Sequence, residues 1–198
     1  MARKLTIASC LAIALALSVQ AHAADFTLRI HHFLGDESLP HTALIEPWAR
    51  RVEADSNGRI EVEIHPKMGL GGKTQELVDQ VRDGTVDIVW TAAAYTPNQF
   101  PHAEVFTLPS VHDGDPAATN QAMISAMDGF LQPDFRDFKP LLAHVQAGHS
   151  LHMSRTPVTR VSDLDGLVLR PAGRRIGIWM LDALGAKPSR KRHPKLST

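Results

Sequence analysis

The sequence predicts an α/β fold built on parallel strands, and two observations predict it. Between Phe26 and Trp90 the hydrophobic period switches in the order strand, helix, strand, helix, strand, the pattern of a parallel sheet with right-handed crossovers. Between Ser162 and Pro188 a further unit reads turn, strand, arginine, loop, helix. The one cysteine, Cys10, lies in the N-terminal apolar stretch. Disulfides, thiolate metal sites and a cysteine nucleophile are therefore excluded from the rest, which must be stabilised by its own core, and roughly 165 residues suffice to bury one.

Residues 1–23 read as a secretory signal peptide. Arg3 and Lys4 supply the positive start, Leu5 to Val19 is an apolar run too short to span a bilayer comfortably, and Ala21-His22-Ala23 gives a small-x-small cleavage pattern. Phe26 to Phe33 alternates as a first strand. Leu44, Ile45, Trp48, Ala49 and Val52 mark the buried face of a helix running to Asn57-Gly58, with Pro47 in its first turn or kinking it. Ile60 to Ile64 is a period-2 strand with one apolar face. After a glycine-rich turn, Leu77, Val78 and Val81 place a helix ending at Gly84, and Val86 to Trp90 is a third strand.

Pro97, Pro101 and Pro109 leave no room for a long helix between Tyr95 and Val111. Pro116 then opens a helix to Phe130 with Met123, Ile124 and Met127 inward, and Leu141 to Gln146 reads as a strand. Ser162 is an N-cap candidate, and Leu167-Val168-Leu169 is a strand-length apolar run that stops at Arg170. Beyond Pro171 and Gly173, the residues Ile176, Trp179, Met180, Ala183 and Leu184 recur at helical spacing until Gly185 supplies the position after the helix.

The chain has 21 basic and 21 acidic residues, but their distribution is uneven. Four basic residues fall in the last ten positions, and between Ala24 and Pro188 there are 15 against 21 acids, a net charge of −6. A body of that sign does not attract nucleic acid, and no basic stripe interleaved with aromatics precedes the tail.

Arg170 stands where a strand ends. In open α/β sheets ligands bind in the crevice beyond the carboxyl ends of strands, so a guanidinium there is placed to meet an anion. The alternative is a structural or surface arginine.

The segment "SDLDGLVLRPAG…LDALGAKP" resembles the region around the carboxylate-binding arginine in the periplasmic solute-binding subunits of tripartite ATP-independent (TRAP) transporters, the DctP-type family. "FTLRIHH", "PWARRVEADSNGRIEVEIHP", "GLGG", "ELVDQVRDGTVDIVW" and "FPHAEVFTLPSV" follow the family's first lobe in order, so the resemblance covers Ala24 to Pro188. It implies a periplasmic-binding-protein-like (type II) two-lobed fold that closes on a small organic acid and passes it to the TRAP membrane permease subunits. The first lobe is expected over 24–144 and part of the second over 145–188. Arg170 matches the arginine that pairs with the ligand carboxylate.

Other pocket positions follow from strand ends: His32 on the first strand, Trp90, Thr91 and Ala92 on the third, and His149 and Ser150 after Gly148. Sialic-acid-binding members carry a glutamate and a second arginine where this chain has Ala92 and Ser150, which implies a smaller or more apolar acid here. Trp90 has core packing as its alternative.

Eleven histidines invite a metal reading. Yet His31 and His32 are adjacent and diverge on a strand, as do His149 and His152, and no His-Glu-x-x-His stands on a helix. No metal or cofactor is expected, and the histidines are expected at the surface, with one or two in the cleft. "GLGGKT" at 69–74 lacks the spacing of a phosphate loop. Two rival readings are a two-lobed receptor for an ABC transporter or sensor, and a secreted α/β enzyme with His149 or His152 as general base. Asp163 and Asp165 read as a capped, solvated turn.

After Pro188 the family resemblance stops, and residues 189–198 form a basic tail with one apolar residue besides proline. A truncated or frame-shifted gene is the expectation, leaving the second lobe incomplete.

Overall fold

A computed structural model describes residues 23–111, 114–146, 148–154, 157–173 and 175–189. The expected signal peptide up to residue 22 and the basic tail from residue 190 lie outside the described residues. The chain forms two compact units, the first ending at Gly69 and the second beginning at Leu70.

In the first unit, β1 (Phe26–His32) and β2 (Ile60–His65) pair in parallel, with Phe26 opposite Ile60 and His31 opposite His65. Glu61 and Glu63 face water while Ile60, Val62 and Ile64 turn inward, as the period-2 pattern requires. The crossover between the strands is α1 (Glu46–Asp55), entered through a π-helical turn over His41–Ile45. Pro47 lies in the first turn of α1, where its missing N–H costs no helical bond. Glu53 ties the helix to the sheet, its Oε1 accepting Val62 N–H at 3.0 Å. The wide turn brings His41 and Ile45 inward and leaves Leu44 38% exposed, against the expectation for Leu44.

In the second unit, α2 (Leu77–Arg82) buries Leu77 and Val78, and β3 (Ile88–Trp90) ends at the expected residue. The proline-spaced stretch holds only short helical pieces, among them α3 (Pro101–Val105). Asp115 caps α4 (Pro116–Ala126), its carboxylate accepting Ala117 N–H and Ala118 N–H. The buried stripe of α4 runs through Thr119 and Met123, so Ile124, one residue on, is rotated out and 53% exposed rather than inward. Val78, Phe100, Ala103, Met123, Leu131 and Val145 form one core cluster.

Leu141 to Gln146 is irregular, not a strand. The Val145 N–H that a ladder would use is taken by Asn120 Oδ1 at 2.7 Å.

Ser162 does not cap a helix. The short turn at Val161–Leu164 is organised by Asp163, whose carboxylate accepts from Thr159 N, Thr159 Oγ1, Arg160 N and Arg160 Nε; the last of these chiefly holds that carboxyl below its usual pKa.

The strand β4 (Val168–Leu169) pairs in parallel with β5 (Lys187–Pro188), and α5 (Ile176–Ala183) connects them. Beneath them Leu164, Leu181 and Ala186 form a second cluster. Gly185, at φ +79°, turns the chain out of α5 as expected. Trp179 and Ala183 are exposed, contrary to expectation; Leu181 carries the buried face instead.

Candidate functional site

The Arg170 region is built by the β4–β5 pair. Lys187 N–H donates to Leu167 O and Ser189 N–H to Leu169 O, both at 2.7 Å, which fixes the strand up to the residue before Arg170. Arg170 itself is exposed, and among the described residues no hydrogen bond or ion pair engages its guanidinium. After it, the chain turns through Gly173, whose φ of +83° suits glycine and whose Cβ, if present, would lie 3.0 Å from Ala94 Cβ. The loop that follows Arg170 therefore packs on the turn Ala93–Tyr95 that follows Thr91 and Ala92.

A second arginine locks that packing. Arg175 donates from Nη1 to Asn98 Oδ1 at 2.8 Å and from Nη2 to Oε2 of Glu104, a residue only 5% exposed on α3. The same guanidinium sits 5.9 Å from the Trp179 ring centroid, which accounts for that tryptophan lying on the solvent side. Of these two guanidinium groups, that of Arg175 is neutralised within the fold, and that of Arg170 has no partner among the described residues.

Thr91 follows β3. Its Oγ1 is buried and has no hydrogen-bond partner among the described residues, a rare condition for a hydroxyl. Ala92 opens the next turn, accepting Tyr95 N–H at 2.9 Å. Trp90 is half-buried, and its ring stacks on His144 at 6.0 Å and 25°. His149 and Ser150 are exposed on an irregular segment, and no carboxylate orients His149 or His152 among the described residues. The structure thus brings Gly173, in the loop after Arg170, against Ala94, two residues beyond Ala92, and among the described residues no hydrogen bond links His149 or Ser150 to either segment.

In the first unit, His32 ends β1 and is fully buried. Its Nε2 lies 2.9 Å from His41 Nδ1, while its Nδ1 is buried without a partner among the described residues. Burial, then His41, then His31 lower its pKa from 6.5 to about 4. His41 Nε2 in turn faces Glu46 Oε1 at 3.2 Å. His31, His32 and His41 are all buried, so the expectation of mainly surface histidines fails for these three: both faces of β1 are covered at its carboxyl end.

Sequence reasoning missed His41, Glu46, Asn98, Glu104 and Arg175. A histidine at the same helical phase as Ile45 was a signal for His41; nothing local marked Glu104 as the partner of an arginine 71 residues away. Among the described residues no group of three or more His, Cys, Asp or Glu is placed to hold a metal ion, and no helix is long and apolar enough to cross a membrane.

Comparisons with known proteins converge on one family. The model for the bacterial extracellular solute-binding proteins of family 7 (DctP) matches residues 30–191. A solute-binding protein of Roseobacter denitrificans is 25% identical over 187 residues, 92% of this chain and 56% of its own length. Among solved structures, a marine metagenome TRAP solute-binding protein from an unidentified microbe, specific for aromatic acid ligands and bound to metahydroxyphenylacetate, is 41% identical with a TM-score of 0.79. The match covers 83% of this chain and 51% of that one. A TRAP solute-binding protein from Rhodoferax ferrireducens, bound to copurified benzoate, is 34% identical with a TM-score of 0.78, covering 85% of this chain and 52% of that one. The chain spans about half the length of the relatives it matches. These relatives are solute-binding proteins of the two-lobed α/β fold, not enzymes, and the chain belongs with them to the DctP family of TRAP-transporter periplasmic solute-binding proteins.

Proposed function

We propose that this protein is the periplasmic solute-binding component of a TRAP-type secondary transporter that captures a small aromatic carboxylate, with Arg170 as the carboxylate anchor. The observation that carries the reading is the exposed guanidinium of Arg170 at the end of β4, without a partner among the described residues, whereas Arg175 is engaged by Glu104 and Asn98. A planar guanidinium donates two parallel hydrogen bonds to a carboxylate, each contributing about 1.5–3 kcal/mol net. Thr91, whose buried hydroxyl lacks a partner among the described residues, is the second proposed contact. Trp90, which ends β3, and Ala92, two residues on, are the proposed apolar contacts, which suit a ring better than a polyhydroxylated acid. The aromatic acids bound by the two similar solved proteins support the ligand class.

His32, His149 and Ser150 complete the proposed contacts, and the two-lobed division at residue 144 stands with them as part of the proposal. Export through the signal peptide of residues 1–23 would deliver the protein to the periplasm, where it would hand its ligand to the TRAP permease subunits. Titration of the full-length gene product with benzoate tests the anchor. Arg170→Ala should weaken binding by about a hundredfold or more, and Arg170→Lys should recover only part of the loss, because lysine supplies charge without the fork. Unchanged affinity in Arg170→Ala would refute the assignment.

A further inference from the structure

A cleft of about 450 Å³ opens in the second unit between α3 and the turn Gln132–Phe135, and it shares no residue with the contacts proposed for the carboxylate. Two of its polar side chains are held in place by neighbours. Asp134, whose side chain is 1% exposed, accepts from His102 Nδ1 at 2.6 Å through Oδ1 and from Ala103 N–H at 2.8 Å through Oδ2. Phe130 braces the imidazole edge to face, with ring centroids 5.0 Å apart. Arg82, at the end of α2, bonds to Asp79 and, at 3.4 Å, to Gln99 Oε1, and its guanidinium lies 5.2 Å from the Phe138 ring centroid. Arg136 also lines the cleft; it is exposed and has no hydrogen bond or ion pair among the described residues.

Asp134 sets the direction of its bond to His102. A carboxylate accepts and does not donate, so the ring hydrogen is on Nδ1, and a neutral imidazole then presents Nε2 as a lone pair. The ring is 36% exposed, and Nε2 has no partner among the described residues. The cleft therefore offers guanidinium donors and one open acceptor. Hydrogen phosphate meets both: its charged oxygens accept from guanidinium groups, and its P–OH donates to the lone pair. Sulfate and carboxylates have no hydrogen to give at neutral pH, and an organic cation would be repelled by the arginines. Asp79 partly neutralises Arg82, so Arg136 supplies the main attraction, and Asp137, which lines the same cleft, opposes it.

We infer that this cleft binds a hydrogen phosphate ion, with Arg136 and Arg82 donating to its charged oxygens, His102 Nε2 accepting from its P–OH, and Asp134 as the positioning residue that sets the His102 tautomer. The site stands independently of the carboxylate reading. An ion without the hydrogen leaves the lone pair facing an oxygen, which corresponds to about a ten- to hundredfold loss in affinity.

The test is titration of the full-length gene product with inorganic phosphate and with sulfate at mildly alkaline pH, followed in nitrogen-15 spectra of the histidine side chains. The expected result is saturable phosphate binding that shifts the His102 Nε2 resonance, with phosphate preferred over sulfate about ten- to hundredfold. Arg136→Gln, at an exposed position, should weaken phosphate binding about tenfold or more, and Asp137→Asn, which removes the opposing charge, should strengthen it. Asp134→Asn reads the positioning role. The amide oxygen must face Ala103 N–H, so the amide NH₂ faces His102 Nδ1 and moves the ring hydrogen to Nε2. The preference should then turn toward sulfate, a reversal that a purely structural role would not produce. In the native protein, absence of saturable phosphate binding, sulfate bound as tightly as phosphate, or a His102 resonance that phosphate leaves unmoved would each overturn the inference. A hydrogen on His102 Nε2 in the free native protein would do so as well.

Discussion

The Arg175 guanidinium is bonded to the buried carboxylate of Glu104, joining the start of α5 to α3 across 71 residues of sequence. Because Glu104 is only 5% exposed, its charge is tolerable there only while a cation answers it. The pair therefore ties down the far end of the loop that follows Arg170, whose own guanidinium has no partner among the described residues.

Arg175→Met should cost about 2–4 kcal/mol in a denaturant titration, since it strands a buried carboxylate, while the double variant Arg175→Met, Glu104→Met should recover much of the loss. Additive losses in the two single variants would show that the pair is not coupled.

Gly173→Ala should destabilise by about 1–2 kcal/mol, because φ is positive there and the new methyl would press on Ala94. The displaced loop should also weaken benzoate binding. A fully stable variant with unchanged affinity would show that the contact between this loop and the Ala93–Tyr95 turn does not position Arg170.

The protonation of His32 gives stability a defined pH dependence. Its folded pKa of about 4 lies below the unfolded value of 6.5. Between those values the unfolded chain binds a proton that the folded chain refuses, so stability falls as pH drops through that window and is unaffected by this group above it. The loss is on the order of 1–3 kcal/mol. Denaturant titrations at several pH values should show the slope in the native protein and its disappearance in His32→Phe; an equal slope in both would assign it to other groups.

The first unit was legible because its signals are local. Alternation from Ile60 and helical spacing around Ala49 each specify one element and its inward face, while the run from Phe26 specifies a strand whose two faces are both covered at its carboxyl end. The position of Arg170 was equally legible, since an apolar run ending at a charge marks a strand end without tertiary information. Errors arose where tertiary partners decide the outcome. Val145 gives its N–H to an asparagine side chain 25 residues away, so a strand-like run never pairs as a strand. Trp179 lies outward beneath an arginine that periodicity cannot place. The π-helical turn shifted the helical phase by part of a residue, which sent Leu44 outward and drew in His41, the ring that meets His32 Nε2.

The central claim is that Arg170 recognises a carboxylate, and its most direct test changes the ligand's charge and the arginine together. Benzoate and its neutral counterpart benzamide are titrated into the full-length gene product and its Arg170→Ala variant. Two charge-assisted bonds predict a preference for benzoate of about a hundredfold or more in the native protein, falling to within a few-fold in the variant. A native protein that binds both alike, or a variant that keeps the preference, would contradict the account.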